Sequence, residues 1–231
     1  MHKVKIPKRN ENAQRVENFK NKYITKEEYR LLINECDSLG CQSRKDFIAW
    51  LYHTGMRFGK AAALRPSDIF QGKDGYWYCQ VNGSLIHRVN VTIDKRFSKS
   101  KSAKSLAGNR TILLSKELVD IYQRNKDNIC SIPIDGDNHL LFVNHFRGKN
   151  LPIGKVSFEQ FIQKCAKRAG IEKHLTAHAF RHTHITNLII QKVDLKTVMN
   201  RAGHKDASTT LAIYTHVTAQ QQKKLADIIG A

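Results

Sequence analysis

The stretch TAHAFRHTHIT, Thr176 to Thr186, brings His178, Arg181, His182 and His184 within seven positions. Thr176 is a natural N-cap, and positions three apart share a helix face, so His178 and Arg181 point together from the first turn. Phe180, Leu188 and His184 fall on another face and are expected to anchor the helix in a core. His178 and His182 also stand at the i, i+4 spacing of two zinc ligands. Ala179, however, occupies the place of the general base in H-E-x-x-H, and no acidic third ligand lies nearby, so no metal is expected. A lone His-x-x-Arg carries little meaning until other parts of the chain are brought beside it.

Three further segments supply such partners. HTGMRFGKAAALRPSDI sets Arg57 just after the helix-ending Gly55, where a short turn can aim it inward. RAGHKDASTTLAIYTHV ends a helix at Gly203, presents His204 on the following turn and carries Tyr214 ten residues later. The basic loop DKRFSKSKSAKSLAGN holds Lys99, Lys101 and Lys104.

Residues 1–24 are charged and aperiodic with an early proline, and read as a linker or arm. Thr25 and Glu28 form a capping box that opens a helix through TKEEYRLLINEC. SRKDFIAWLYHTG reads as a second helix with Phe47, Trp50, Leu51 and Thr54 on one face, and FGKAAALRPSDI as a short helix stopped before Pro66. Between residues 75 and 114, YWYCQV, SLIHRVNVTI and RTILL read as strands of a small antiparallel sheet, the first two joined by a tight turn at Asn82–Gly83. Helices return from Ser115, itself an N-cap: SKELVDIYQRNKDNI, KVSFEQFIQKCAKRAG, the Thr176 helix, LKTVMNRAG capped by Asp194, ASTTLAIYTHV and TAQQQKKLADIIGA. The expected fold is α+β, mostly helical with a small antiparallel sheet, in one domain over residues 25–231.

Whole-chain totals narrow the chemistry. The 231 residues carry 39 Lys and Arg against 20 Asp and Glu, a formal +19. So large an excess repels itself, and a polyanion is the partner that offsets it; nucleic acid is expected, and a membrane surface is not, because the charge is spread along the chain. The basic, polar start lacks an apolar signal core and no run is long and apolar enough to span a bilayer, which points to the cytoplasm. Five cysteines without a C-x-x-C pair read as reduced, mostly buried small apolar residues.

TGMRFGKAAALRPSDI, AHAFRHTHIT and AGHKDASTTLAIYTHV, in that order, resemble the catalytic domain of the tyrosine recombinases, the phage integrase family. The likeness runs from about Thr25 to the C-terminus. It implies that Tyr214 is the nucleophile, that Arg57 and Arg181 clamp a phosphate, and that His178 and His204 accompany them. A lysine before an R-T-I-P-L-like strand serves the family as general acid; Lys104 in KSLAGNRTILL is the choice here, with Lys99 and Lys101 in the same loop. One position departs from the pattern: Lys60 stands where the family has an acid three residues after the first arginine, a structural partner of the site.

These residue types suit a metal-independent, cofactor-free transfer of a DNA strand. A phenol can attack a phosphodiester and store the bond as a phosphotyrosine, while two guanidiniums grip the non-bridging oxygens. The resemblance further implies a double-stranded DNA substrate and a homotetramer on it, with accessory DNA-bending proteins as candidate helpers. The alternatives are a catalytically impaired DNA-binding module of the same fold and a type IB topoisomerase-like strand transferase. The family's separate N-terminal clamping domain has no counterpart in the residues before Thr25.

Overall fold

Thr25 Oγ1 accepts from the Glu28 amide at 3.1 Å while the Glu28 carboxylate accepts from the Thr25 amide at 2.8 Å. The expected capping box thus starts α1 (Lys26–Ser38). The computed structural model describes residues 22–88, 90–92, 95–100, 109–203, 208, 210–215 and 217. Of the stretch read as an arm, residues 1–21 lie outside these, while Tyr23 and Ile24 are tied to the fold: the Ile24 amide donates to Thr183 Oγ1 at 2.9 Å and the Tyr23 hydroxyl to Asn187.

Helix α2 (Gln42–Thr54) is the centre of the main core, with Phe47, Ile48, Trp50 and Leu51 sealed from solvent. It stops at Gly55, whose φ of 62° gives the left-handed cap the sequence anticipates. The short α3 (Phe58–Ala62) follows, then a single 3-10 turn at Pro66–Asp68.

The strands come next: β1 (Ile69–Gln71), β2 (Trp77–Val81), β3 (Leu85–His87), β4 (Phe97–Lys99) and β5 (Arg110–Leu113). They form two antiparallel sheets, ordered β1-β2-β5 and β3-β4. This corrects the expected hairpin at Asn82–Gly83. The Asn82 side chain donates to Asp68 at 2.7 Å, and the Ser100 amide to the Ser84 carbonyl at 2.9 Å, so the chain leaves the first sheet after β2 and pairs β3 with a strand inside the basic loop.

After α4 (Lys116–Asn125) the structure departs again from the helices expected throughout this half. Two hairpins intervene, β6 (Ile129–Ile134) with β7 (Asp137–His139) and β8 (Val143–Phe146) with β9 (Lys149–Pro152). Each is closed by a two-residue turn with both φ positive, 52° and 80° at Asp135–Gly136 and 48° and 72° at Arg147–Gly148. That is the turn whose twist matches paired strands, and the Asp-Gly dipeptide is its sequence signal.

Helices α5 (Lys155–Arg168), α6 (Ala177–Ile190) and α7 (Leu195–Ala202) complete the described fold, with the described residues between 208 and 217 also helical. The Asp46 carboxylate, 2% exposed, accepts from Gln42, Arg124 and Asn125, so the one buried acid on α2 is satisfied and fastens α2 to α4. A second, smaller core of Ile185, Ile189, Val198, Ala202, Ile213 and Val217 joins α6, α7 and the described helical residues near 213; the helix expected over TAQQQKKLADIIGA lies outside the described residues. All five cysteines are free and four are buried.

Candidate active site

Gly55 makes the site possible. Its left-handed turn reverses the chain after α2, so Arg57 emerges extended (φ −67°, ψ 144°) at the start of α3, beside α6. From α6 come His178 and Arg181 on one face, as their spacing predicts. Arg57, His178 and Arg181 line one cleft of about 650 Å³, together with Lys155, Glu159 and Thr176, and with Phe58, Leu85, His87, Phe97 and Ile153.

Arg181 is 2% exposed, and its Nη1 donates to the carbonyls of Gly55 and Ala202, both at 2.8 Å. Its Nη2 is buried without a partner among the described residues, leaving an unspent donor on a residue of the cleft wall. Burial first, then Arg57 and Arg110, push its pKa down to about 9. Arg57 Nη1 donates to the Gly203 carbonyl at 3.3 Å. Among the described residues no carboxylate pairs with Arg57, Arg110 or Arg181. Glu159, also in the cleft, lies 3.9 Å from Lys155, so the guanidiniums concentrate positive charge here, the arrangement expected of an anion site.

His178 stays below the usual imidazole range, chiefly through burial and then through Arg181 and Arg57, so it is neutral near pH 7 and able to accept a proton. His184, also on α6, has a different role. Arg201 Nε donates to its Nε2 at 3.2 Å, so Nδ1 carries the proton and faces the Tyr52 carbonyl at 3.1 Å. The ring is part of the packing, as the sequence suggested. His182 is half-buried.

Tyr214 is 43% exposed, between Ile213 and Val217 of the second core. His204, Lys101 and Lys104 lie outside the described residues. Lys99 is inside them, and its ammonium is engaged with the Asp68 carboxylate at 2.9 Å. Lys60 sits with the cations of the site: burial, then Arg110, Arg57 and Lys99, hold it below the ordinary lysine range.

The sequence reading missed Arg110 and Lys155. Arg110 opens β5, and its guanidinium reaches the end of α7, Nε donating to the Arg201 carbonyl at 2.7 Å. The signal was available in the two-residue period of a strand, because Arg110 shares a face with the buried Ile112. Lys155 begins α5 after Gly154 and lines the cleft, with no spacing to mark it.

The model of the phage integrase family matches residues 22–221. The chain belongs to the phage integrase family. It is 30% identical over 240 residues to the prophage ps2 probable integrase of Lactococcus lactis subsp. lactis, covering 99% of this chain and 59% of that one. It is 30% identical over 204 residues to tyrosine recombinase XerD of Halalkalibacterium halodurans, covering 87% of this chain and 59% of that protein. The chain therefore spans less than two thirds of the length of these integrase-family relatives. Among solved structures, the Tn1549 transposon integrase in complex with transposon right end DNA superposes with a TM-score of 0.70 at 22% identity, covering 88% of this chain and 66% of that one. That likeness establishes the α+β catalytic-domain fold.

Proposed function

We propose that residues 25–231 are the catalytic domain of a site-specific DNA recombinase of a mobile element or prophage, with residues 1–24 as its arm. One observation carries the reading: Arg57 and Arg181, distant in the chain, meet with His178 in one cleft. That its relatives are integrases and recombinases supports double-stranded DNA as the substrate.

In this reading the Tyr214 oxygen attacks the scissile phosphorus, the new O–P bond forming as the bond to the 5′ oxygen breaks. Neutral His178 accepts the phenolic proton, and a lysine of the basic loop (Lys104 by resemblance, with Lys99 and Lys101 beside it) protonates the departing oxygen. Arg57 and Arg181 grip the non-bridging oxygens, and His204 hydrogen-bonds the phosphate. The product is a 3′-phosphotyrosine and a free 5′ hydroxyl. Attack by that hydroxyl from a second duplex reverses the step with exchanged ends, which calls for four protomers on DNA. The guanidiniums supply the charge stabilisation themselves, so the reaction runs without a metal. No helix among the described residues is long and apolar enough to cross a membrane, which agrees with a cytoplasmic site of action.

The test is a nicked duplex incubated with the chain in EDTA. A covalent protein–DNA product that vanishes in Tyr214→Phe is expected, followed by strand joining between two duplexes. Adduct without joining between partners would favour topoisomerase-like chemistry. DNA binding with no adduct, even with a helical DNA-clamping domain supplied, would leave a binding module, the outcome to which Lys60 in place of an acid draws attention.

A further inference from the structure

Three successive carbonyls at the end of α7 are each held by a guanidinium from a different element. Arg110 on β5 donates through Nε to the Arg201 carbonyl at 2.7 Å. Arg181 on α6 donates to the Ala202 carbonyl at 2.8 Å, and Arg57, before α3, to the Gly203 carbonyl at 3.3 Å. The last carbonyls of any helix lack partners within it and carry the negative end of its dipole, so they attract cations. Here they hold three at once. The Arg201 side chain locks the same helix end, reaching the His53 and Leu113 carbonyls at 3.3 Å each and His184 at 3.2 Å.

Two of these arginines, Arg57 and Arg181, belong to the proposed phosphate clamp; Arg110 does not line the cleft. We infer that Arg110 is a positioning residue of this site: its Nε–H bond fixes the end of α7, and the carbonyls fixed there set the spacing of Arg57 and Arg181. The three carbonyls also stand as counter-charge to the cations, at a site where the family's acid is replaced by Lys60. The inference rests on the recombinase reading for its catalytic consequence, and on geometry alone for the anchorage.

Three variants separate positioning from charge. Arg110→Gln puts an amide nitrogen where Nε was, keeping the donor and dropping the charge. Arg110→Lys keeps the charge and puts a methylene there. Arg110→Ala removes both. Two quantities are read for each on the whole chain: the single-turnover rate of adduct formation at saturating nicked duplex, with the duplex affinity beside it, and the hydrogen-exchange rate of the Gly203 amide, which donates to the Met199 carbonyl at 2.8 Å and so reports the helix end. Positioning predicts that Ala lowers the adduct rate roughly tenfold to a hundredfold with affinity little changed, since a hydrogen bond to a charged group is lost. It predicts that Gln recovers part of that loss while Lys does not, and that the Gly203 amide exchanges faster in Ala and Lys than in Gln.

Recovery by Lys and not by Gln, in rate or in exchange, overturns the inference, because Arg110 then acts by charge alone. A fall in affinity with an unchanged rate at saturation also overturns it, since Arg110 would then be an ordinary DNA contact. If the unsubstituted chain forms no adduct even with a DNA-clamping domain supplied, the recombinase reading fails separately, and the order of Gly203 exchange among the three variants still decides the anchorage.

Discussion

Six positions apart on α6 stand two imidazoles that the fold treats differently: His178 lines the cleft, while His184, 8% exposed, is sealed between the Tyr52 carbonyl and Arg201. Burial first, and then Arg201, push the His184 pKa down to about 3. A histidine whose folded pKa lies below its unfolded value of about 6.5 adds stability that is complete above that value and shrinks as pH falls from there toward 3. The slope is about 1.4 kcal/mol per pH unit for one proton. Denaturant unfolding at pH 7.5 and 5.5 is therefore expected to show a loss that His184→Gln reduces by about 1 kcal/mol; an equal loss in both proteins would disprove the assignment. At this scale the sequence was informative where chemistry sits on a fixed spacing: Arg57, His178 and Arg181 were all named from it and share one cleft. Arg110 escaped because its role depends on where a strand begins relative to a helix far along the chain.

Caps and turns decide the elements, and two glycines isolate what a tertiary contact adds. Gly40 and Gly55 both follow helix ends with φ of 62°. A Cβ at Gly40 meets nothing within 4 Å, whereas one at Gly55 comes within 2.5 Å of the His184 ring. Gly40→Ala is expected to cost about 1 kcal/mol from backbone conformation alone. Gly55→Ala carries that cost plus the clash, and a total of about 2 kcal/mol or more is expected in the same unfolding assay; equal effects would mean that His184 yields freely. Elements were legible wherever a local signal was sufficient: Thr25, Ser115 and Asp194 all accept the amides their positions demand. The strands were less so. Asn82–Gly83 looked like a hairpin turn, but a side-chain bond to Asp68 outweighed it, and β4, made of Phe97, Ser98 and Lys99, has no run of β-branched residues to announce it. The Asp135–Gly136 turn was readable and was passed over, because the helical pattern on both sides dominated.

At the scale of the whole molecule, the formal +19 governs association. If the chain neutralises six to ten phosphates, its affinity for duplex DNA should fall roughly 10³- to 10⁵-fold between 50 and 200 mM salt. Fluorescence anisotropy across that range measures it, and a flat response would exclude backbone contacts as the source of binding. The composition points to a polyanion partner but not to how the fold divides its apolar interior. The arginine cleft is built on the main core around Trp50, whereas Ile213 and Val217, the neighbours of Tyr214, belong to the small second core under α6 and α7. Local opening is cheapest where few apolar groups must part. The described segment around Tyr214 is therefore expected to open before the helix behind the arginines does when the fold is strained.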